Sequence, residues 1–346
     1  MSEDSFFTRE LLAWYELNGR DLPWRRSRDP YGVWLSEIIL QQTRIVQGTA
    51  YWQRFMDRFP TVQALAAATE DEVLRLWEGL GYYSRARNLH AAARQIVALG
   101  RFPDTLDGLR SLKGVGDYSA AAIGSIAFGL PAAVLDGNVY RVLARYFGLA
   151  TPVGTTAAKK EFSARAQSLL PEGRSADFNQ ALMDFGALQC TPASPRCGDC
   201  PLAVRCQALR EGRVELLPVR KTPVAVQNRY LSWVYLRFNG RTAVCKRAAV
   251  DIWQGLWQPL LLEGEMACPP IPGTLSACGR VTLLRGGLRH RLTHRLLVCD
   301  LYLLDCARQP QLPDGYVWIN EAELERYGKP KPFELLLEML AERESI

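Results

Sequence analysis

The sequence lacks a long apolar run, a basic leader, an internal repeat and a dominant charge sign, and each absence removes a class of protein. Its longest uncharged stretch, Tyr118–Leu135, reaches 18 residues, the lower limit for a membrane span, and is interrupted by Gly124, Gly129 and Pro131. It reads as a buried helix ending near Gly129, and no membrane partner is expected. The opening MSEDSFFTRELLAWYE has acids where a secretory leader has bases and offers no small-residue cleavage site, so the expected location is the cytoplasm. There the nine cysteines are thiols or metal ligands rather than disulfides. No segment repeats at solenoid periods. The formal charge is +6, and a composition of 48% apolar and 23% charged residues is globular, neither disordered nor fibrous.

A chain of 346 residues exceeds what one hydrophobic core usually supports, so two domains are expected. Residues 1–210 read as all-α. DEVLRLWEGLGYYSRARNLHAAARQIVALG places apolar residues at three- and four-residue steps, and in VYRVLARYFG the side chains of Val139, Val142, Leu143, Tyr146 and Phe147 share one face. Periodicity fades over residues 211–229, where prolines and basic residues suggest a linker. Residues 230–346 read as α+β. RYLSWVYLRFNGRTAVCKR is two strands around an Asn239-Gly240 turn, RLLVCDLYLLD is a third strand, and EAELERYGKPKPFELLLEMLAERE supplies closing helices. The basic excess is local: residues 201–250 carry 10 bases against 2 acids, whereas the first 200 residues carry 22 against 21. A polyanion could be gripped there.

Three features carry chemistry. Cys190, Cys197, Cys200 and Cys206 form C-x6-C-x2-C-x5-C, enough thiolates on one short loop for a zinc ion or an iron–sulfur cluster, and spacing does not separate the two. The other five cysteines read as small buried hydrophobes. LRSLKGVGDYSAAAIG sets Gly114 and Gly116 just before a helix, where a glycine turn and free amides can hold a phosphate; an ordinary interhelical turn is the bland alternative. Glu37, inside YGVWLSEIILQQT, has apolar neighbours that would desolvate it and raise its pKa. Asp136, in AVLDGNVYRVLARYF, stands at a helix start, where capping competes with any catalytic role for it and for Asn138. One carboxyl held protonated and one held charged is the requirement of glycosidic-bond cleavage, here the bond between base and deoxyribose.

Together these motifs resemble, in order and spacing over nearly the whole chain, the helix-hairpin-helix DNA glycosylase superfamily that contains endonuclease III. Within it the likeness is to the MutY-type adenine glycosylases with a Nudix-like C-terminal domain. The resemblance implies a six-helix barrel module and a cluster module flanking an active-site cleft, and a 4Fe-4S cluster on the four cysteines. It implies a monomer acting on double-stranded DNA that carries adenine opposite 8-oxoguanine or guanine. Position by position, it implies that Glu37 protonates the flipped adenine and then activates water, while Asp136 stabilises or traps the oxocarbenium ion. Asn138 and Tyr118 match residues that orient and support these two. Gln42 and Tyr82 match side chains wedged into the duplex, and Trp24 and Arg25 match residues lining the adenine pocket. Gly114 and Gly116 match the DNA-holding hairpin.

Tyr118 stands where strand-cleaving relatives have a lysine, and a phenol forms no imine, so a monofunctional enzyme without a lyase step is expected. The C-terminal half lacks the glutamate-rich REx2EE helix of Nudix hydrolases. Met266–Cys299 contains no acid but has Arg280, Arg285, Arg289, His290, Arg291, His294 and Arg295, which suit phosphate contact as well as a solvated face. The loop expected to touch oxidised guanine reads Leu292-Thr293-His294 where the family has Phe-Ser-His, keeping a hydroxyl and losing a ring. The alternatives are an endonuclease III-like pyrimidine or mismatch glycosylase, and a cluster-bearing DNA-binding protein without catalysis.

Overall fold

Asp29, Gly129 and Asp136 show how this chain begins and ends its helices. The structure, a computed structural model, describes residues 3–221, 226–248, 251–264, 271–292 and 295–344. By contacts it divides into two units, Met1–Ala66 with Ala91–Thr222, and Ala67–His90 with Pro223–Ile346. The helices in chain order are α1 (Glu3–Asn18), α2 (Pro30–Ile39), α3 (Ile45–Arg58), α4 (Val62–Ala67), α5 (Glu70–Leu76) and α6 (Ser84–Leu99). They continue with α7 (Leu106–Ser111), α8 (Asp117–Phe128), α9 (Gly137–Phe147), α10 (Thr156–Ser168), α11 (Ser175–Leu188) and the single turn α12 (Gln207–Arg210).

Helix α2 starts with Pro30 in its first turn, behind Asp29, whose carboxylate accepts the Tyr31 and Gly32 amides at 3.3 and 2.9 Å. Helix α8 follows a turn made possible by the positive φ of Gly114 (79°), and it stops at Gly129 (69°), where the Leu130 amide bonds the Gly124 carbonyl at 2.9 Å. Its residues Ser119–Ile126 are buried, in line with the reading of that stretch as a core helix. Asp136 caps α9 by accepting the Val139 amide at 2.7 Å. The first unit's core gathers Phe7, Val139, Leu143, Phe162, Phe178 and Phe185. Burying each such ring stabilises the fold by about 2 kcal/mol. At Gly186 of α11 a Cβ would lie 2.6 Å from the Cβ of Asn138, so this glycine lets α11 press against the start of α9. Among the described residues no helix is long and apolar enough to cross a membrane.

The second unit is built on a mixed sheet. Its elements are β1 (Gln227–Phe238), β2 (Arg241–Lys246), β3 (Trp257–Gln258), β4 (Leu260–Gly264), α13 (Gly273–Ser276), β5 (Gly279–Arg291), β6 (Arg295–Cys306), β7 (Val317–Asn320) and α14 (Lys331–Glu344). Strand order is β3-β2-β1-β6-β5, with β4 also on β1 and β7 also on β2; β1 and β6 run parallel. Asn239 and Gly240 both take positive φ, as the expected two-residue hairpin requires. Alternation along β1 sends Trp233 and Tyr235 to a core with Phe333 and Leu336 of α14, and Val234 and Leu236 to one with Leu275 and Leu304. Residues 67–90 belong to this unit through specific bonds. Lys246 Nζ pairs with Asp71 Oδ1 at 2.8 Å, the Lys329 amide donates to Glu78 Oε1 at 3.2 Å, and Arg87 donates to Gln254 Oε1 at 3.1 Å.

Candidate active site

Helix α2 is buried along Tyr31–Ile39, so Glu37 has no outward face to occupy; it is 8% exposed. Burial pushes its pKa from 4.5 up to about 7, against the opposing pull of a Tyr118 hydrogen bond and the Arg25 charge. Tyr118 Oη donates to Glu37 Oε2 at 3.1 Å and lies 3.5 Å from Met183 Sδ. Asp136 is raised by burial too, but two donors oppose the rise, the Val139 amide at 2.7 Å and Asn138 Nδ2 at 2.8 Å. Capping and pocket lining, which compete as readings of Asp136 in the sequence, coexist: one oxygen serves each of those donors.

Glu37, Asp136, Tyr118, Asn138, Trp24 and Arg25 all line one cavity of about 310 Å³ in the first unit. Arg25 is held there by a forked pair to Asp184, Nη1 to Oδ2 at 2.7 Å and Nη2 to Oδ1 at 2.9 Å. Arg20 adds its Nε at 2.9 Å and its amide at 3.0 Å to the same carboxylate. Asp184 is wholly buried, and although burial raises its pKa the two arginines outweigh this and hold it below the usual carboxylate value. Sequence reasoning passed over Asp184. The available signal was an acid inside apolar ALMDFGAL, the same pattern that singled out Glu37.

Other expected contacts are distributed differently. Gln42 sits exposed on the turn after α2 at φ 57°, and Tyr82, 51% exposed at φ 47°, belongs to the second unit. Neither lines the cavity, and both hold a left-handed backbone, an uncommon conformation for a residue other than glycine. At Gly116, on the turn before α8, a Cβ would meet nothing within 4 Å, so the turn is open to a ligand. Thr293 and His294 lie outside the described residues.

The four cysteines of the loop are free, half-buried thiols around one small cavity. Arg145 Nη1 lies 3.4 Å from Cys190 Sγ, a charge suited to thiolate. Among the described residues no three His, Cys, Asp or Glu side chains converge as a single-ion site. The donor set itself, four thiols facing one void beside an arginine, fits a thiolate-held metal centre. Arg141, one turn before Arg145, donates to the Cys190 carbonyl at 2.7 Å and to Asn138 Oδ1 at 2.8 Å.

Residues 35–172 match the HhH-GPD superfamily of base excision DNA repair proteins, and residues 232–339 match the NUDIX domain. The human adenine DNA glycosylase is 42% identical over 228 residues, 63% of this chain and 42% of that protein, so the chain spans about four tenths of that relative's length. A solved thermostable thymine-DNA glycosylase is similar with a TM-score of 0.55 and 30% identity, covering 60% of this chain and 97% of that one. The adenine DNA glycosylase of Buchnera aphidicola subsp. Acyrthosiphon pisum (strain APS) is 30% identical over 345 residues, 96% of this chain and 97% of that protein. A likeness that runs almost from end to end of both chains, through both domains, makes this chain a member of the adenine DNA glycosylase family.

Proposed function

We propose that the chain is a monofunctional base-excision-repair glycosylase that binds double-stranded DNA and hydrolyses the N-glycosidic bond of adenine opposite 8-oxoguanine or guanine, acting as a monomer in the cytoplasm. The carrying observation is the pair of buried carboxyls on one cavity, one with a pKa near 7 and a single side-chain donor, the other with two donors that favour its charge. Adenine is flipped from the stack, at a cost of a few kcal/mol. Glu37 gives its proton to ring nitrogen 7, and the glycosidic electron pair leaves with the base. The cationic sugar then faces the Asp136 carboxylate, held in place by Asn138. Water attacks the anomeric carbon and its proton passes to the Glu37 carboxylate, restoring the acid.

Tyr118 holds Glu37 through its hydroxyl and has no amine to attack the sugar. Gln42 and Tyr82, with their strained exposed backbones, are proposed to enter the duplex, and Gly114 and Gly116 to hold a phosphate. Cys190, Cys197, Cys200 and Cys206 are proposed to hold a 4Fe-4S cluster. Such a cluster, when bound, fixes the fold of the loop and adds no step to hydrolysis. The test is single-turnover excision on duplexes pairing adenine with 8-oxoguanine, guanine, cytosine or thymine, with thymine opposite guanine as the pyrimidine control, beside Glu37→Gln. Adenine release from the first two, lost in the variant, is expected. Release of thymine alone, or an undiminished variant, refutes the reading.

A further inference from the structure

The turn between α2 and α3, residues 40–44, has two sides. Leu40, Gln41 and Thr43 line the cavity that holds Glu37 and Asp136, whereas Gln42 is exposed and stands outside that wall. Three contacts fix the turn. Leu40 lies against Gly48 of α3, where a Cβ would come within 2.5 Å of its Cδ2. The Thr43 amide donates to the Leu40 carbonyl at 3.2 Å, closing the turn on itself. Gln41 Nε2 donates to Ser119 Oγ at 3.1 Å, and Ser119, on α8, is 2% exposed. This third contact joins residues 78 positions apart, and it has a companion. Tyr118, the residue before Ser119, donates to Glu37, four residues before Gln41. Two successive residues of α8 therefore grip two positions about one helical turn apart, first the acid and then the root of the turn. Gln42 holds φ 57°, and a residue in that region persists where the surrounding structure sets its neighbours.

We propose that Gln41 is a positioning residue for base extrusion: through Ser119 it ties the turn that carries Gln42 to the helix that carries Tyr118. The side chain that enters the duplex is then held at a fixed place relative to the cavity that receives the base. Gln41 touches neither the leaving base nor the sugar in this role, and Glu37 keeps its own bond to Tyr118 without it. The inference rests on the function proposed above and deepens it.

The experiment compares the full chain with Gln41→Met, which keeps the side-chain length without the amide, with Ser119→Ala, which removes the acceptor, and with the double variant. It reads single-turnover excision of adenine opposite 8-oxoguanine across pH, and the fluorescence of a 2-aminopurine placed next to that adenine, which rises as the adenine unstacks. Thermal melting sets an assay temperature below the transition of every variant. Loss of one side-chain hydrogen bond is expected to slow both excision and the fluorescence rise about fivefold in each single variant. The double variant should also lose about fivefold, since the two residues act as one tie. The pH at which excision falls off should stay where the unaltered chain has it. Unchanged rates, excision slowed without slower unstacking, losses that multiply to about 25-fold in the double variant, or a displaced pH profile overturns the inference while leaving adenine excision intact. An unaltered chain that releases no adenine from any duplex defeats the proposed function instead, whatever Gln41 does.

Discussion

Replacing Glu37 by glutamine should make the protein more stable while it destroys excision. Glu37 ionises in the unfolded chain near 4.5, and in the buried site near 7. Between those values the unfolded state releases a proton that the native state keeps, so stability falls as pH rises through that window and levels off above it. The difference amounts to about 3 kcal/mol at pH 8. Glutamine keeps the carbonyl oxygen for the Tyr118 hydroxyl, 3.1 Å away in the native site, and has no charge to desolvate. At pH 8 the variant should therefore melt several degrees higher, at roughly 2–4 °C per kcal/mol for a unit of this size. Near pH 4.5, where the native state holds the proton and half of the unfolded chains still do, the gap shrinks to a few tenths of a kcal/mol and the two should melt within about 2 °C of each other. The assay is calorimetric melting of both proteins from pH 4.5 to 8.5, beside single-turnover excision. A variant that is less stable at pH 8, or an offset that does not vary with pH, would show that Glu37 is not a desolvated acid.

Three further outcomes follow from the same geometry. Tyr118→Phe removes the hydrogen bond that holds the Glu37 pKa down, so the alkaline limb of the excision-rate profile should move to higher pH; a shift downward refutes the assigned role. Asp184→Asn leaves the half-buried Arg20 and Arg25 with a weaker partner and should cost about 3 kcal/mol in chemical denaturation, with excision reduced; a change below 1 kcal/mol would mean the arginines find other anchors. Gly114→Ala forces a side chain into positive φ and should destabilise by about 1–2 kcal/mol while weakening salt-sensitive binding of undamaged duplex; unchanged binding would separate this turn from DNA.

What the sequence revealed divides along physical lines. Helix α9 was legible on its apolar face, because Val139, Val142, Leu143 and Tyr146 recur at helical steps, and all four are buried. Its other face was not: Arg141 and Arg145 look like solvent residues but are 7% and 3% exposed, with carbonyls of the 190–192 segment as partners. Partners distant in sequence leave no local pattern. The same holds for Asp184, whose meaning comes from Arg20 and Arg25 over 150 residues away. In the second unit the Asn239-Gly240 turn and the apolar run of β6 were readable. Strand β5, with Gly286-Gly287 and four arginines, did not look like a strand; its pairing with β6 makes it one. The reading of Glu37 came from crowding on both sides, a local property, and that is why it could be made.

The grouping of residues 67–90 with the sheet unit bears on how such proteins can be shuffled during descent. A single crossover near residue 222 would transfer the sheet without the segment that supplies Asp71, Glu78 and Arg87 to Lys246, Lys329 and Gln254. The incoming half would meet a foreign 67–90 stretch, and Gly328, whose Cβ would stand 3.2 Å from the Leu74 backbone, leaves little tolerance there. Functional hybrids between relatives should therefore require exchanging both pieces at once, and the two stretches should be inherited as a pair.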